Sequence, residues 1–167
     1  MLVISDTSCL SALIQTEHLH LLKNLYQSIT IPVVVFEELA VLSDFGVDIS
    51  VLEESTWLKV HTPSDVAFVE KLMLDLHAGE AQAIALALEL NADLIIVDDY
   101  EARQVATSLG LHITGLGGVL LEAKKQYFIK EVKPLLDQII NFAGFYLSTQ
   151  VYNRILQLAG ESKGYNF

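Results

Sequence analysis

Apolar and polar positions alternate along the chain with two different periods. Short, nearly continuous apolar runs at Met1–Ser5, Ser28–Ile31, Trp57–His61, Ala92–Val97 and Leu111–Thr114 predict strands, and the segments between them repeat apolar residues at helical spacing. The first run ends at Asp6 and gives way to a helical pattern through Ile14. In Glu17–Gln27, Leu19, Leu22 and Tyr26 recur at helical spacing with Leu21 and Leu25 beside them, which predicts a helix with a broad apolar face. Pro32 suits the first turn of a helix to about Leu42, because that turn leaves the missing N–H unbonded in any case. Pro63 is expected to open another helix to about Leu76. Gly79 precedes an Ala/Leu-rich helix over Glu80–Leu90, and later helices are expected over Tyr100–Leu109, Val119–Gln126, Lys130–Phe142 and Thr149–Ala159. The acidic stretch Ser43–Glu54 carries the least pattern. Ala92–Val97 has the unbroken apolar character of a strand buried on both faces and is expected at the centre of the sheet, with Leu111–Thr114 at an edge.

Strands alternating with helices predict an α/β fold, a central and mostly parallel sheet of four or five strands flanked by helices on both faces. A chain of 167 residues suits one domain, 1–167, and no linker separates the C-terminal helices (130–160) from it. With 52% hydrophobic and 19% charged residues, disorder and low-complexity tails are excluded. The net charge of −11 excludes attraction to nucleic acid by bulk positive charge. Lys124, Lys125, Lys130 and Lys133 cluster in one short segment that reads either as a solvated face or as local help for a polyanion. Cys9, the single cysteine, cannot form an internal disulfide and reads as a small core residue in a reducing, cytoplasmic setting. No leader pattern and no apolar run of about 18 residues is seen, so a membrane partner is not expected.

Candidate chemistry lies in the carboxylates. In open α/β sheets, ligands sit outside the carboxyl ends of the strands, so acids that directly follow strands converge on one cleft. Asp6 and the Asp98-Asp99 pair stand in such places. At 100° per residue, Glu38 falls within the stripe of Val35, Leu39 and Leu42 while Glu37 lies nearly opposite, and Glu80 falls between Ile84 and Ala87. Inward acids need a cation, a proton or several donors. Mg²⁺ or Mn²⁺ prefers oxygen ligands, and such ions assist phosphodiester hydrolysis by activating water and neutralising charge. Each acid also has a plainer reading. Asp6 and Asp99 suit helix N-caps, and Glu80 in a first helical turn gains from the helix dipole. Arg103, four residues after Asp99, can form an intrahelical pair or reach a substrate phosphate. His77 reads as an exposed loop histidine, and Gly115–Gly118 as a turn, since it lacks the dinucleotide-binding spacing.

The motifs DTSCL after the first strand, P-x-x-V-x-x-E-L at Pro32–Leu39, GEAQAIALA at Gly79–Ala87 and IIVDDYEAR at Ile95–Arg103 stand in the order found in PIN-domain nucleases. With the tail GFYLSTQVYNRILQLAGE at Gly144–Glu161, nearly the whole chain resembles a prokaryotic PIN-domain subfamily related to the VapC-like toxins of type II toxin–antitoxin pairs. The resemblance implies a Mg²⁺- or Mn²⁺-dependent endoribonuclease in which Asp6, Glu38, Glu80 and Asp98 or Asp99 are the four conserved acids. Asp6, Glu80 and the Asp98-Asp99 pair would be the metal ligands, and Thr7 or Ser8 would orient the first carboxylate or a bound water. Many relatives carry Asp where Glu80 stands, which bears on whether one or two metals bind. RNA is the implied substrate, with Arg103, Lys124 and Lys125 as candidate contacts, and a homodimer and a small antitoxin protein are the implied partners. Two rivals stand beside this reading. One is a PIN-like module that binds RNA or protein without cutting. The other is a receiver-like phosphotransfer domain, which the sequence disfavours because His112, Ile113 and Thr114 replace the lysine expected at the last strand.

Overall fold

The computed structural model describes residues 1–161, so residues 162–167 of the expected domain lie outside the described chain. Five parallel strands form one sheet: β1 (Val3–Ser5), β2 (Ile29–Pro32), β3 (Leu58–His61), β4 (Leu94–Ile96) and β5 (Ile113–Thr114), in the order β3-β2-β1-β4-β5. Ile4 stands opposite Thr30 on one side and Ile95 on the other. The central strand is therefore β1 and not the Ala92–Val97 run. Both are buried on two faces, and apolar character alone cannot tell a central strand from its neighbour.

Alternate strand residues face opposite layers. Val3, Ile29, Ile31 and Ile96 join the core formed by helices α1 (Thr7–Gln15), α2 (His20–Tyr26), α8 (Leu116–Lys125), α9 (Lys133–Ala143) and α10 (Thr149–Leu158). Ile4, Ile95 and Val97 turn the other way, onto α6 (Ala78–Glu89) and α7 (Tyr100–Ser108). Both layers exclude water, and each fully buried Leu or Ile contributes about 1.5–3 kcal/mol. The remaining helices are α3 (Val33–Ala40), α4 (Ser50–Glu54) and α5 (Val66–Leu72). No helix among the described residues is long and apolar enough to cross a membrane.

Local chemistry moves several boundaries. The second helix begins at His20, because Glu17 takes a positive φ of 59° that interrupts the run. Pro32 ends β2 in extended conformation and caps α3, whose first helical residue is Val33. Asp65, whose carboxylate accepts the Phe68 N–H at 3.0 Å, starts α5, so Pro63 stays outside the helix. The acidic stretch forms a 3-10 turn (Val41–Phe45) and the short α4. Gly115 alone is the turn before α8; Gly117 and Gly118 are helical, and crowding explains their lack of a side chain, since a Cβ at Gly117 would stand 2.7 Å from Ile155 and one at Gly118 would collide with Thr114. The ninth helix starts at Lys133, after Val132.

Candidate functional site

The sheet order reverses between β1 and β4, and the crevice at the carboxyl ends of those strands is where an open α/β sheet holds a ligand. Asp6 follows β1, and its N–H donates to Ile96 O at 3.1 Å, which pins it beside the end of β4. Asp98 follows β4 by two residues. The Asp98 carboxylate accepts the Leu116 N–H at 2.9 and 3.2 Å, so it also serves the start of α8. Gly115 permits that approach, since a Cβ there would collide with Asp98 and stand 2.9 Å from Arg103 Nη1.

The five candidate acids differ sharply in what they touch. Asp99 caps α7 by accepting the Ala102 N–H at 2.9 Å and is exposed. Glu80 is half-buried and accepts the His77 N–H at 3.2 Å, while the His77 side chain lies in solvent. Glu38 is exposed and is not among the residues that line the cleft, and its carboxylate is hydrogen-bonded to the Thr7 hydroxyl. The sequence projection placed Glu38 inward, but it fixes direction around the helix and not depth, and the apolar stripe of α3 is carried by Val35 and Leu39. Gly79 completes this contact, because a Cβ there would stand 3.0 Å from Glu38 Oε2 and 3.2 Å from Thr7 Oγ1.

Asp6 alone has no such employment. It is 1% exposed and its Oδ1 lacks a hydrogen-bond partner, while the Ser8 and Cys9 amides at the start of α1 approach the carboxylate without closing a cap bond. Burial pushes its carboxyl well above the usual carboxylate range, the Asp98 and Glu80 charges push it further, and the Ser8 and Cys9 amides offset this only in part. Glu80 is raised by burial and by Asp99, with Glu38 adding to it and His77 opposing. Asp98 is raised by burial against the Leu116 N–H and Arg103. Cys9 is fully buried, and burial with the Asp98 and Asp6 charges holds its thiol protonated and inert.

Carboxylates in mutual repulsion, with an orphaned buried oxygen, have the oxygen donor chemistry that suits a hard divalent cation. Among the described residues no three His, Cys, Asp or Glu side chains already stand in a metal-holding arrangement. The cations lie differently from their sequence readings. Arg103 Nη1 donates to Val97 O at 3.0 Å, which replaces the expected pair with Asp99 and ties α7 to the end of β4. Lys124 Nζ is bonded to Ala159 O at 2.6 Å and to Glu161 Oε2 at 2.9 Å, so it clamps α10 to α8 and does not reach the cleft. Lys125 is exposed on the same helix and does not line the cleft. Thr7, Ser8, Glu80, Asp98, Asp99 and Arg103 do line it, around a volume of about 1080 Å³.

Sequence reading missed Gly79 and Gly115 as places of close approach; the signal was a glycine standing just before a motif acid or just after a strand. It also missed the aromatic residues of the α9–α10 connection, which extend the same cleft.

A doubly wound parallel sheet with a carboxylate-lined crevice at its switch point defines the class: an α/β protein with an acidic cleft at the strand ends. A family model described as a PIN domain matches residues 2–161, and the chain belongs to that family. Its fold is of nuclease type, and divalent metals are the usual cofactors of PIN nucleases. No curated protein matches the chain. Among solved structures, a PilT N-terminus domain protein from the hyperthermophilic archaeon Sulfolobus solfataricus P2 is similar at 23% identity and a TM-score of 0.49, over 74% of this chain and 93% of that one.

Proposed function

We propose that the chain is a Mg²⁺- or Mn²⁺-dependent endoribonuclease that hydrolyses RNA phosphodiester bonds in the cleft above β1 and β4. The observation that carries the reading is Asp6: a buried carboxylate with an unpartnered oxygen, facing Asp98 and Glu80, at the switch point of the sheet. Folding a chain around such a group costs about 1–3 kcal/mol, and more for a charge, unless something binds there. Asp6 and Asp98, with Glu80 or Asp99, would hold the ion, which when bound supplies charge neutralisation and an activated water. Thr7, itself in the cleft lining, holds the Glu38 carboxylate near Glu80. The Leu116 N–H fixes one face of Asp98, and Arg103 keeps a positive charge beside it. Membership of the toxin subfamily, a homodimer and a small antitoxin partner belong to the same proposal and rest on the sequence resemblance alone.

One observation favours the non-catalytic alternative: Glu38, Glu80, Asp98 and Asp99 each have an internal hydrogen-bond partner, so four of the acids have structural work without a metal. Cleavage of structured and single-stranded RNAs with Mg²⁺, Mn²⁺ or chelator, wild type against Asp6→Asn, decides between them. Metal-dependent cutting that disappears in the folded variant supports the nuclease. RNA or protein binding without metal affinity and without cutting supports the binding module.

A further inference from the structure

The cleft lining has parts of unlike chemistry. One part of the lining is the acids; another is a largely apolar set from the α9–α10 connection, Gly144–Ser148, and from Val151, Ile155 and Leu158 of α10. The connection is firmly built. Gly144 ends α9 in the left-handed conformation at φ 65°, and the Ser148 hydroxyl accepts the Val151 N–H at 3.2 Å to start α10. Phe145 and Leu147 pack against the core, so Tyr146 between them is held outward, 85% exposed, at the mouth of the cleft. Tyr100, beside the α7 cap Asp99, is 74% exposed and lines the same cleft. Neither ring contributes to the core, and both line the cleft that Glu80, Asp98 and Asp99 line.

The charge of the cleft constrains how a strand can be held there. Among its described lining residues Arg103 is the only Lys or Arg, and that side chain already donates to Val97 O. Phosphate contacts therefore supply little affinity, and the bases must supply it. Resting on the nuclease reading above, we infer that Tyr146 forms a nucleobase-stacking subsite that holds an unpaired base in the same cleft as the acids, with Tyr100 a second exposed ring of its lining. Aromatic faces take any unstacked base, whereas a base inside a duplex offers them no free face. The strand is then gripped through its bases at Tyr146, with little dependence on sequence.

The test is equilibrium binding of a short fluorescent single-stranded RNA, at fixed millimolar Mg²⁺, to proteins carrying Asp6→Asn so that the strand stays intact. A duplex and a strand of the same backbone with abasic nucleotides are the companion probes. Adding Tyr146→Ala is expected to weaken single-strand binding about 5- to 150-fold, the loss that removing one stacked base–aromatic contact brings. Tyr146→Phe, which keeps the ring, is expected to bind normally, and both variants should melt as their parent does, since the ring lies outside the core. The abasic strand and the duplex should bind weakly. Raising monovalent salt from about 50 to 200 mM should cost less than about threefold, as one phosphate contact or fewer implies. Unchanged binding by Tyr146→Ala, equal binding of the abasic strand, or a steep salt dependence overturns the subsite and leaves the nuclease reading standing on its cleavage assay. If no RNA is bound and wild type also cuts none, both fall; if none is bound but wild type cuts, the subsite alone falls.

Discussion

Replacing Asp6 by Asn should make the metal-free protein more stable at neutral pH, the opposite of what loss of a buried, hydrogen-bonded carboxylate does. The side chain is 1% exposed, its Oδ1 is unpartnered, and the charges it faces are Asp98 and Glu80. Asn keeps the shape, removes the charge and offers an amide that the neighbouring carboxylates can accept. Relief of an unsatisfied buried group is worth about 1–3 kcal/mol, and at about 2–4 °C per kcal/mol for a chain of this size the midpoint should rise by about 2–12 °C. The pH dependence follows from the direction of the shift. Because the native carboxyl titrates above its unfolded value, the folded state holds the extra proton, and wild-type stability falls as pH rises from the ordinary carboxylate range through the raised native value. Below that range Asp6 is neutral in both states and the difference between the proteins should vanish. Differential scanning calorimetry in chelator from acid to mildly alkaline pH reads both effects. Mg²⁺ or Mn²⁺ should then raise the wild-type midpoint, by about 2.7 kcal/mol at a hundredfold excess over Kd, and leave the Asn variant nearly unmoved. A variant less stable than wild type at neutral pH, with the same pH profile, would refute the claim that Asp6 is a strained carboxylate kept for a ligand.

Gly115→Ala forces a Cβ into Asp98 and to 2.9 Å from Arg103 Nη1, so it should cost about 1–3 kcal/mol in denaturant unfolding and depress metal affinity, because Asp98 must shift. Leu13→Ala, at a position with 0% exposure in the α1 core, should cost about 2–5 kcal/mol without altering metal affinity per folded molecule. Glu161→Gln removes a carboxylate that accepts the Val132 and Lys133 amides at 2.8 and 2.9 Å and pairs with Lys124; a loss of at least about 2 kcal/mol is expected by thermal unfolding. Burial would raise Glu161, but those amides and the Lys124 ammonium outweigh it, so its stabilisation is present above the ordinary glutamate range and lost as pH falls through the lowered native value. Lys124→Met should lower stability through the same clamp and leave the salt dependence of RNA binding unchanged, which separates it from a substrate contact.

The parts of the fold that sequence reveals are those set by local pattern. Strand positions, the alternation with helices and the Ala-rich α6 follow from period and burial, because each residue's preference agrees with its neighbours'. What depends on non-local pairing does not. The Ala92–Val97 run and Met1–Ser5 are equally apolar, and only the pairing of Ile4 with both Thr30 and Ile95 makes β1 central. Similarly, the helical wheel sets Glu38 beside Val35 and Leu39, yet those two are buried and Glu38 is exposed, because angle around a helix does not fix depth. Asp6 and Asp98 were legible as a pair because strand ends converge by topology. The loss of Lys124 to Glu161 was not, since the two lie far apart in sequence and meet only after α8, α9 and α10 have packed.

The acids divide into two kinds, and that division bears on how the cleft works. Asp98 and Asp99 serve helix N-termini, Glu80 binds the amide before α6, and Glu38 bonds Thr7, so each has a partner that fixes its position before any ligand arrives. Each also has a second carboxylate oxygen with unused acceptor capacity. Such acids are cheap to keep and already aimed, which is the arrangement that preorganised sites require. Asp6 is the opposite: buried at the centre of the sheet, repelled by Asp98 and Glu80, and without a bond for Oδ1. A fold that needed only caps and surface charge would gain stability by replacing it with Asn. Burial raises Glu80 and Asp98 as well, but the largest penalty falls on Asp6 at the switch point, and a ligand that binds Asp6 recovers that cost without unfolding anything else.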